Sequence, residues 1–371
     1  MPCFLGPGQT GLILRQSDVP QPAGRRPFTT IDISPMIIVT GATGFIGSAM
    51  IWQLNQRGEN SIVAVDTVPP SVKSGPLGQR RYDRFLFKDQ LWNYLAEVDA
   101  KRMPIQAVIH MGACSSTTEL NTAFLYENNF LYTQRLWQWC ASNRVPFLYA
   151  SSGAVYGDGA KGFDDASPSH IFKPLNPYGE SKAMFDRWVE LEKPAAPPAW
   201  YGLRFFNVYG PNEYLKGDMA SVVFKAFHQI RETGRLKLFK SHRPDFKDGE
   251  QLRDFVYVKD IVRWMDELVL QAIERRPAPS GIYNMGYGKA RSWNDLAKST
   301  FAGLGKPMTI DYIDIPVDMR PRYQYFTEAR LERLMGLHLS PPRWSLEAGV
   351  TDYVTNHLLP GHSIAGANAW L

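Results

Sequence analysis

The sequence predicts a doubly wound α/β fold, because short apolar runs alternate with longer segments of helical periodicity. The apolar runs begin near residues 36, 61, 107, 147 and 200, and helical patterns of about ten or more residues alternate with them. This rhythm is typical of a parallel sheet with helices on both faces. A glycine-rich turn at residues 41–47 follows the first run, as in nucleotide-binding sheets. We therefore predict a Rossmann-type domain at residues 36–206.

The rhythm fades beyond Phe206, where loops with aromatic and basic residues become frequent. We expect residues 207–371 to form a smaller C-terminal α/β lobe that binds the substrate, with part of 250–275 returning to the first domain. Residues 1–35 are rich in Gly, Pro, Gln and Arg and lack apolar periodicity, so we predict a disordered extension. A transit peptide, or a start codon placed too far upstream, remains an alternative for this segment.

Composition and charge limit the classes of function. The 371-residue chain is 44% hydrophobic and has a net charge of +5, with its Lys and Arg residues scattered. A nucleic-acid surface is therefore not required, whereas a modest basic balance suits a phosphorylated substrate. The three cysteines give no disulfide framework, and no apolar run approaches the ~20 residues of a membrane helix. We expect a soluble, cytoplasmic protein that binds neither nucleic acid nor a membrane.

The first turn has the pattern of a phosphate-binding site. Gly41, Gly44 and Gly47 stand in the spacing G-x-x-G-x-x-G between the strand that Met36 opens and a helical pattern. Gly41 permits a tight turn, Gly44 lets the backbone approach a pyrophosphate, and Gly47 lets the helix pack close to the strand. Asp66 ends the second strand about 20 residues past the last glycine. We expect its carboxylate to accept hydrogen bonds from the adenosine ribose of a dinucleotide.

The residues around Asp66 leave both NAD and NADP open as the cofactor. A carboxylate at this position favours NAD, since it repels a 2′-phosphate. Lys73, Arg80 and Arg81 follow within reach of the same ribose and could neutralise that phosphate. Each of the three is equally consistent with a solvated loop cation. We predict NADP, with NAD as the alternative.

The segment His110–Thr117 follows a further apolar run, and its small residues suit backbone contact with a cofactor. Cys114 has no base beside it in sequence, so we expect a passive, buried thiol. His110 is expected to be a packed, hydrogen-bonded residue. No Cys and His spacing resembles a metal site, and we predict no metal.

The stretch from Ser152 to Lys182 has the pattern of a hydride-transfer site. Tyr178 and Lys182 stand four apart after Asn176-Pro177, which suits a helix start, so both side chains lie on one helical face. An ammonium beside a phenol favours the phenolate, so we expect Lys182 to lower the pKa of Tyr178 from ~10 toward the working range. Ser152 closes an apolar run and is expected at the carboxyl edge of the sheet. Taken alone, Tyr-x-x-x-Lys is a weak signal, and a solvated helix face is the alternative.

With the glycine turn, Ser152 and the Tyr178/Lys182 pair in place, the chain resembles the extended short-chain dehydrogenase/reductase family of nucleotide-sugar epimerases and dehydratases. The resemblance extends over nearly all of the chain from Met36 onward, and within the family it is strongest to the branch that epimerises ADP-activated heptoses at C6. Ala113–Glu119 and Lys216–Ser221 are specific to that branch. The segments that carry the resemblance are His110–Glu119, Phe147–Ser152, Arg204–Pro211, Lys216–Ser221, Arg253–Val258 and Arg322–Thr327.

The resemblance also implies two sets of binding residues. Around the cofactor it implies Gly41, Gly44, Phe45, Ile46, Gly47, Asp66, Thr67, Lys73, Lys88, Met111, Gly112, Ala113, Cys114, Ser115, Asn128, Tyr178, Lys182 and Val208. Around the sugar nucleotide it implies Ser152, Asn207, Asp218, Lys225, Phe239, Lys240, Ser241, His242, Arg253 and Tyr323.

This chain departs from the family pattern at some substrate positions. Asp218 stands where a serine is frequent, Lys225 stands where a histidine is, and the segment 241–251 is longer. Arg253 and Arg322 are candidates for a diphosphate clamp, because guanidinium pairs bidentately with phosphate oxygens. An ion pair between Arg253 and Asp254 is the structural alternative.

In that family Tyr178 and Lys216 act as two bases on opposite faces of the sugar, and Ser152 and Lys182 complete the catalytic set. Inverting a carbinol carbon requires hydride removal from one face and its return to the other, which one acid/base group does not easily serve. The resemblance therefore implies C6 epimerisation of ADP-glycero-manno-heptose with bound NAD(P), for lipopolysaccharide inner-core precursors. We also expect a homo-oligomer.

Three rival functions stay open at this stage. A nucleotide-hexose 4-epimerase of the same family uses Ser152, Tyr178 and Lys182 and does not need Lys216. A dehydratase of the family has an Asp-Glu pair after the serine or threonine, whereas Gly153-Ala154 follow Ser152 here. A cofactor-binding regulator without turnover is the third, and retention of the full Ser/Tyr/Lys set speaks against it.

Overall fold

A parallel sheet organises this computed structural model, which describes residues 34–69, 77–274, 276–317, 319–320 and 323–361. Its strands are β1 (Met36–Thr40), β2 (Ile62–Asp66), β3 (Arg84–Phe87), β4 (Ile105–His110), β5 (Phe147–Ser152), β6 (Trp200–Phe205), β7 (Asn207–Tyr209), β8 (Leu236–Phe239), β9 (Leu252–Tyr257), β10 (Gly281–Met285), β11 (Ala290–Ser292) and β12 (Ile310–Ile313). Its helices are α1 (Phe45–Gln56), α2 (Leu91–Lys101), α3 (Thr122–Leu125), α4 (Tyr132–Asn143), α5 (Pro177–Leu191), α6 (Val222–Thr233), α7 (Val258–Ile273), α8 (Trp293–Gly303), α9 (Glu332–Met335) and α10 (Leu346–Asp352).

The main sheet has seven strands in the order β10-β6-β5-β4-β1-β2-β3, and every pair in it is parallel. The chain runs outward from β1 to β3 and then crosses back to β4 on the other side of β1. The loops that follow β1 and β4 therefore open a crevice at the carboxyl edge of the sheet. The predicted doubly wound class is confirmed, and each of the five predicted strands is present. Strands β3 and β10 were not predicted.

Alternate residues of β1 face opposite sides of the sheet, and each side has its own apolar core. Ile37 and Val39 pack in the cluster that includes residues of α1 and α7, such as Trp264. Ile38 packs in a second cluster with residues of α2, α4 and α5, such as Trp137. A strand that is buried on both faces reads as a continuous apolar run, which is why β1 was recognisable from its sequence.

The C-terminal half builds smaller sheets. Strand β9 pairs in parallel with β7 and antiparallel with β11, and β12 pairs in parallel with β8. Helices α6, α8 and α10 contribute to the apolar clusters beside these strands. These elements lie immediately after the end of β6 in the chain, so they can cover the carboxyl edge of the main sheet, where the crevice opens.

Two features bear on the predicted domain limits. Helix α7 packs against α1, and strand β10 pairs with β6, so chain from beyond residue 207 contributes to the main sheet and its helical layer. The described residues belong to one compact unit, Ser34–Leu371. The boundary at 206/207 stays a prediction. The predicted extension lies almost entirely outside the described residues, which begin at Ser34.

Candidate active site

The glycine turn after β1 is packed too closely for side chains. Gly41 has a φ of +66°, and a Cβ on it would lie 2.6 Å from the backbone nitrogen of Gly112. A Cβ on Gly47 would collide with the carbonyl oxygen of Gly41. Gly44 is the N-cap of α1 and has no side chain to occupy the first-turn N–H groups. The turn and the open helix N-terminus therefore fit the phosphates of a dinucleotide.

Asp66 lies at the end of β2, beside this turn. Its carboxylate accepts hydrogen bonds from the backbone N–H groups of Thr43, at 2.9 Å, and of Thr67, at 2.7 Å. The carboxylate is therefore held in place at the end of the strand, where the predicted contact with a ribose requires it. Lys73, the predicted partner of a 2′-phosphate, lies outside the described residues.

Lys88 and Asn128 form a polar pair on the same side of the crevice. The Lys88 ammonium donates to the Asn128 side chain at 2.7 Å and lies 5.2 Å from the centroid of the Tyr132 ring. Asn128 belongs to a π-helical segment, Tyr126–Leu131, between α3 and α4. Such segments are frequent at functional sites, because the wider turn redirects side chains.

The neighbouring Asn129 fixes the loop that follows β4. Its side chain accepts from the N–H of Cys114 at 2.8 Å, and its amide donates to the carbonyl of Cys114 at 3.0 Å and to Ser181 at 2.9 Å. Cys114 is half-buried and faces the crevice, whereas a buried thiol was expected. The expectation was wrong because the Asn129 clamp holds the loop at the edge of the sheet.

His110 has the structural role predicted for it. Its ring contacts the Thr40 hydroxyl at 2.6 Å and the Thr133 hydroxyl at 2.9 Å, and burial lowers the pKa of His110 to about 3. The ring is therefore neutral. Thr40 also accepts a hydrogen bond from the N–H of Gly112 at 3.1 Å, so this chain of contacts joins the turns after β1 and β4.

The predicted helix start at Asn176-Pro177 is confirmed. The Asn176 side chain accepts a hydrogen bond from the N–H of Gly179 at 2.8 Å, and Pro177 is the first residue of α5. Tyr178 therefore lies in the first turn, and Lys182 lies one turn further on the same face. Ser152 is the last residue of β5, also as predicted.

Burial governs the ionisation of these groups. It raises the pKa of the Tyr178 phenol, while a hydrogen bond with Ser152 lowers it in opposition. Lys182 donates to the carbonyl of Ala150 at 2.9 Å, and burial lowers the pKa of Lys182 to about 8. The expectation that Lys182 lowers the phenol pKa was wrong for the protein alone. Loss of water around the phenolate raises the pKa of Tyr178 by more than the hydrogen bond lowers it, and that hydrogen bond is with Ser152.

Lys216 reaches the same crevice from the loop between β7 and α6. Its ammonium lies 5.2 Å from the centroid of the Phe45 ring, at the start of α1. Burial lowers the pKa of Lys216, and the charge of Glu213 raises it in opposition. Lys216 is therefore a partly desolvated lysine beside the glycine turn and not a solvated surface cation.

These residues line one cavity of about 920 Å³. A volume of this size accommodates a drug-sized or larger ligand. The predicted site residues along its wall are Gly41, Gly44, Phe45, Ile46, Gly47, Asp66, Thr67, Lys88, Met111, Gly112, Ala113, Cys114, Ser115, Asn128, Ser152, Tyr178, Lys182, Asn207, Val208 and Lys216. Their individual roles stay predictions.

The other predicted substrate residues lie outside this wall. Arg253 is buried between two aromatic rings, 5.6 Å from the Trp293 centroid and 5.2 Å from that of Tyr323. The Trp293 indole N–H donates to the Tyr323 hydroxyl at 3.1 Å, and Trp293 itself lines the cavity. Phe239 contacts the edge of the Tyr323 ring. This aromatic cluster is therefore separated from the cavity by Trp293.

The segment after Phe239 continues the cluster toward solvent. The N–H of His242 donates to the Tyr325 hydroxyl at 3.0 Å, and the N–H of Ser241 donates to Asp248 at 2.8 Å. The Lys240 ammonium lies 3.6 Å from a carboxylate oxygen of Asp314 in an exposed ion pair. The structure thus brings several of the predicted substrate residues near one another, outside the wall of the cavity that Tyr178, Lys182 and Lys216 line.

Neither Arg253 nor Asp254 pairs with the other. Arg253 donates to the carbonyl oxygens of Leu252 and Gln324. The buried Asp254 carboxylate accepts from the N–H groups of Tyr287, Gly288 and Ala329 at 2.6, 2.9 and 2.9 Å. The structural alternative of an Arg253–Asp254 ion pair was therefore wrong. Arg322, the other proposed clamp residue, lies outside the described residues.

Asp218 and Lys225 contact each other and not the cavity. The Lys225 ammonium donates to the backbone carbonyl of Asp218 at 2.6 Å, and both residues are exposed. This contact ties the turn that carries Lys216 to α6. The geometry indicates a loop-fixing contact at the two positions where the chain departs from the family pattern.

Several cavity residues were not predicted. Trp293, Phe255 and Leu296 line the cavity, and Glu213, which does not line it, is a buried neighbour whose charge acts on Lys216. Trp293 begins α8, more than 100 residues after Tyr178, so only the tertiary fold brings it to the site. Glu213 carried a local signal, an acidic residue three positions before Lys216 in a segment with little helical or strand periodicity.

The fold and the cavity define a class: a Rossmann-type protein in which Ser152, Tyr178 and Lys182 line one cavity with the glycine turn after β1. The sequence profile of the NAD dependent epimerase/dehydratase family matches residues 37–286. The chain belongs to this family.

Individual relatives agree with the family assignment. The chain is 47% identical to the ADP-L-glycero-D-manno-heptose-6-epimerase of Fusobacterium nucleatum, with 87% of this chain and 98% of that relative aligned. It is 45% identical to the protein of the same name from Nitratidesulfovibrio vulgaris, over 87% of this chain and 98% of that relative. The crystal structure of the Helicobacter pylori ADP-L-glycero-D-manno-heptose-6-epimerase superimposes with a TM-score of 0.68 at 28% identity, covering 87% of this chain and 96% of that one.

Two further properties concern the part of the chain that the structure describes. No helix in that part is long and apolar enough to cross a membrane. Within the same residues, no group of three or more His, Cys, Asp or Glu side chains is arranged to hold a metal ion.

Proposed function

We propose that this chain epimerises ADP-glycero-manno-heptose at C6 of the heptose, by transient oxidation and re-reduction with a bound nicotinamide dinucleotide. The observation that carries the proposal is the position of Lys216. Its amine is partly desolvated and shares one cavity with Ser152, Tyr178 and Lys182. A second acid/base group beside the usual set allows a separate residue to serve each face of a carbinol carbon, whereas a 4-epimerase of the family does not need Lys216. The names of the relatives at 41–47% identity support the choice of substrate.

The residues of the cavity fit the predicted cofactor. Two observations support this fit: the turn at Gly41 and Gly47 excludes side chains, and the Asp66 carboxylate is fixed beside that turn by the N–H of Thr43. When bound, the oxidised nicotinamide accepts a hydride from the substrate carbon and later returns it. For the chain to act catalytically without a second redox partner, the same cofactor must stay bound through both half reactions.

The protein groups supply the proton transfers. In the first half reaction one base takes the proton of the C6 hydroxyl as the C6–H hydride leaves, which gives a 6-keto sugar. In the second half reaction the hydride returns to the opposite face of that carbonyl, and an acid delivers a proton to its oxygen. We assign Tyr178 to one face and Lys216 to the other. Ser152 holds the phenol, and the Lys182 ammonium donates to Ala150 at the base of the site.

NADP is proposed as the preferred cofactor of this NAD-dependent family member. The basic residues that follow β2 support NADP, and the carboxylate of Asp66 supports NAD. Lys73→Ala should therefore weaken NADP binding by at least about tenfold while leaving NAD binding within about threefold, because only NADP carries a 2′-phosphate for the ammonium to contact. Calorimetric titration with both dinucleotides measures this. Equal weakening of the two contradicts a role of Lys73 in cofactor choice.

Substrate choice is tested by incubating the protein with ADP-heptose and with UDP- and ADP-hexoses, followed by ¹³C NMR of the sugar carbons. The proposal predicts inversion at C6 of the heptose and no change in the hexoses. Inversion at C4 of a hexose would instead identify a 4-epimerase, and loss of water would identify a dehydratase. Binding of the dinucleotide without turnover of any sugar would identify a regulator. The lipopolysaccharide-precursor role, the cytoplasmic location and the homo-oligomer remain predictions.

A further inference from the structure

Glu213 is a buried carboxylate that closes the loop containing Lys216. Its side chain has no exposed surface. The carboxylate accepts hydrogen bonds from the N–H of Gly210 at 3.2 Å, from the N–H of Ser221 at 2.5 Å and from the Ser221 hydroxyl at 2.7 Å. Gly210 and Ser221 lie at the two ends of the loop that runs from β7 to α6. One carboxylate therefore joins both ends of that loop.

The backbone of Glu213 also constrains Lys216 directly. The N–H of Lys216 donates to the Glu213 carbonyl at 2.9 Å, and Lys216 is the N-cap of the short helical turn Gly217–Met219 that follows. The side chain of Lys216 then extends to the ring of Phe45, 5.2 Å from the ammonium. A displacement of Glu213 would therefore move the ammonium relative to the glycine turn.

The charges of the two residues act on each other. Burial raises the pKa of the Glu213 carboxyl, and its hydrogen bonds with Ser221 and the charge of Lys216 lower it in opposition. Glu213 is the charged group that raises the pKa of Lys216 against the effect of burial. Tyr214 and Tyr353 are the other titratable groups that interact with Glu213, and burial raises the pKa of both phenols, which stay neutral. In the described part of the chain, Glu213 is thus the charged partner of Lys216.

We propose that Glu213 is a positioning residue for Lys216, which fixes the loop so that the ammonium faces the cavity and keeps the amine protonated until it transfers its proton. The inference rests on the proposed function of Lys216. A purely structural role for Glu213 is the rival explanation, because its partner Ser221 is the N-cap of α6, where its hydroxyl accepts from the N–H of Phe224 at 3.3 Å.

The test uses Glu213→Gln and Glu213→Asp, with Asp266→Asn as the matched control. Asp266 is also a buried carboxylate, but its hydrogen-bond partners are Gln53 and Arg57, at 3.2 and 2.8 Å, and not the loop that carries Lys216. The lysines are dimethylated with ¹³C-formaldehyde, and the Lys216 signal is assigned by its absence in Lys216→Met. Its titration is then followed by NMR, a readout that does not depend on turnover.

Glu213→Gln should move the midpoint of the Lys216 titration to lower pH by about 1 or more, because the stabilising charge is gone. Epimerisation should fall by about 10- to 100-fold. Hydride transfer to a 6-keto or 6-aldehydo analogue through Tyr178 should stay within about threefold of wild type. Glu213→Asp keeps the charge but shortens the side chain, so its midpoint should stay near that of wild type while epimerisation still falls. Asp266→Asn should change neither the midpoint of the Lys216 titration nor the relative rates of the two half reactions.

An unchanged Lys216 midpoint in folded Glu213→Gln would overturn the proposal, as would equal losses in both half reactions. If Glu213→Gln does not fold, the test uses Glu213→Asp instead. In that variant, a loss of the hydride transfer through Tyr178 that matches the loss of epimerisation would indicate that Glu213 has a structural role only. A wild-type protein that turns over no ADP-heptose would refute the proposed function. In that case the NMR midpoint still shows whether Glu213 controls the protonation of Lys216, so the two failures are distinguishable.

Discussion

Tyr178, Lys182 and Lys216 are three ionisable side chains around one cavity, and burial moves the pKa of each in the direction that favours its neutral form. A neutral phenol is a poor base, so Tyr178 depends on the groups around it when the substrate hydroxyl loses its proton. Ser152 is such a group, because its hydrogen bond with the phenol lowers the phenol pKa. At the residue scale, these three ionisable side chains are therefore desolvated, and each has a defined partner.

Tyr178→Phe tests the role of the phenol directly. The substitution keeps the ring and its packing but removes the group that accepts and donates the proton. We expect kcat to fall by roughly 10²- to 10⁴-fold while the dissociation constants of cofactor and substrate stay within about threefold. Steady-state kinetics and calorimetric titration measure the two quantities. A loss that appears in binding and not in kcat would assign Tyr178 a contact role instead.

The burial of Lys182 should make the stability of the folded protein depend on pH. Burial lowers the pKa of Lys182 to about 8 in the folded protein, whereas the unfolded chain keeps this proton up to about pH 10.4. Between these values the unfolded state binds more protons, so the contribution of Lys182 to stability rises with pH. The free energy of unfolding of wild type, relative to Lys182→Met, should increase by up to about 3 kcal/mol from pH 8 to pH 10.4. Urea denaturation of both proteins at several pH values measures this difference in the free energy of unfolding. A decrease in the difference over this range would contradict the lowered pKa of the buried Lys182.

At the scale of single elements, the start of α5 determines where Tyr178 and Lys182, the proposed catalytic side chains of this helix, lie. Asn176 caps the helix and Pro177 opens it, so Tyr178 and Lys182 follow at fixed positions on one face. These signals are local in sequence, which is why this part of the site could be predicted. The π-helical segment Tyr126–Leu131 was not predictable in the same way, because its Asn129 acts through contacts with Cys114 and Ser181, which are distant in sequence.

Asn176→Ala should show that this cap both stabilises α5 and positions Tyr178. Removing the side-chain acceptor should cost about 1 kcal/mol of stability and should also lower kcat by several-fold, because the first turn carries Tyr178. Ser345→Ala is the matched control: Ser345 caps α10 by accepting from the N–H of Ala348 at 3.2 Å and does not line the cavity. The control should lose similar stability without a change in kcat. Chemical denaturation and turnover measure both effects, and equal kcat values for the two variants would show that the cap does not position Tyr178.

At the scale of the whole molecule, the sequence was most informative where the chain is buried on both sides or punctuated by glycine. The strand β1 and the turn Gly41–Gly47 are of this kind, and the glycines of this turn line the end of the cavity where we propose that the dinucleotide binds. The far end was less predictable, because Trp293 and Phe255 reach it through the pairing of β7, β9 and β11. Strand β10 was missed for a related reason: it joins the main sheet after about 75 residues of intervening chain.

Residues 1–35 provide a prediction about the chain as a whole. They lack apolar periodicity and precede the first core strand, so we expect them to be dispensable. A variant that begins at Met36 should keep its melting temperature within a few degrees and its turnover within about twofold. Differential scanning calorimetry and the epimerisation assay measure this. A large loss of either would show that the segment packs or binds.

The central claim is that two acid/base groups serve opposite faces of one substrate carbon. The most direct measurement is a dismutation assay with a 6-aldehydo analogue of the ADP-sugar, run beside epimerisation of ADP-heptose for wild type, Tyr178→Phe and Lys216→Met. We predict that both variants lose epimerisation by at least about 10²-fold while each retains hydride exchange on the face served by its intact base. If Lys216→Met epimerises at the wild-type rate, Lys216 takes no part in the chemistry and the two-base mechanism is wrong.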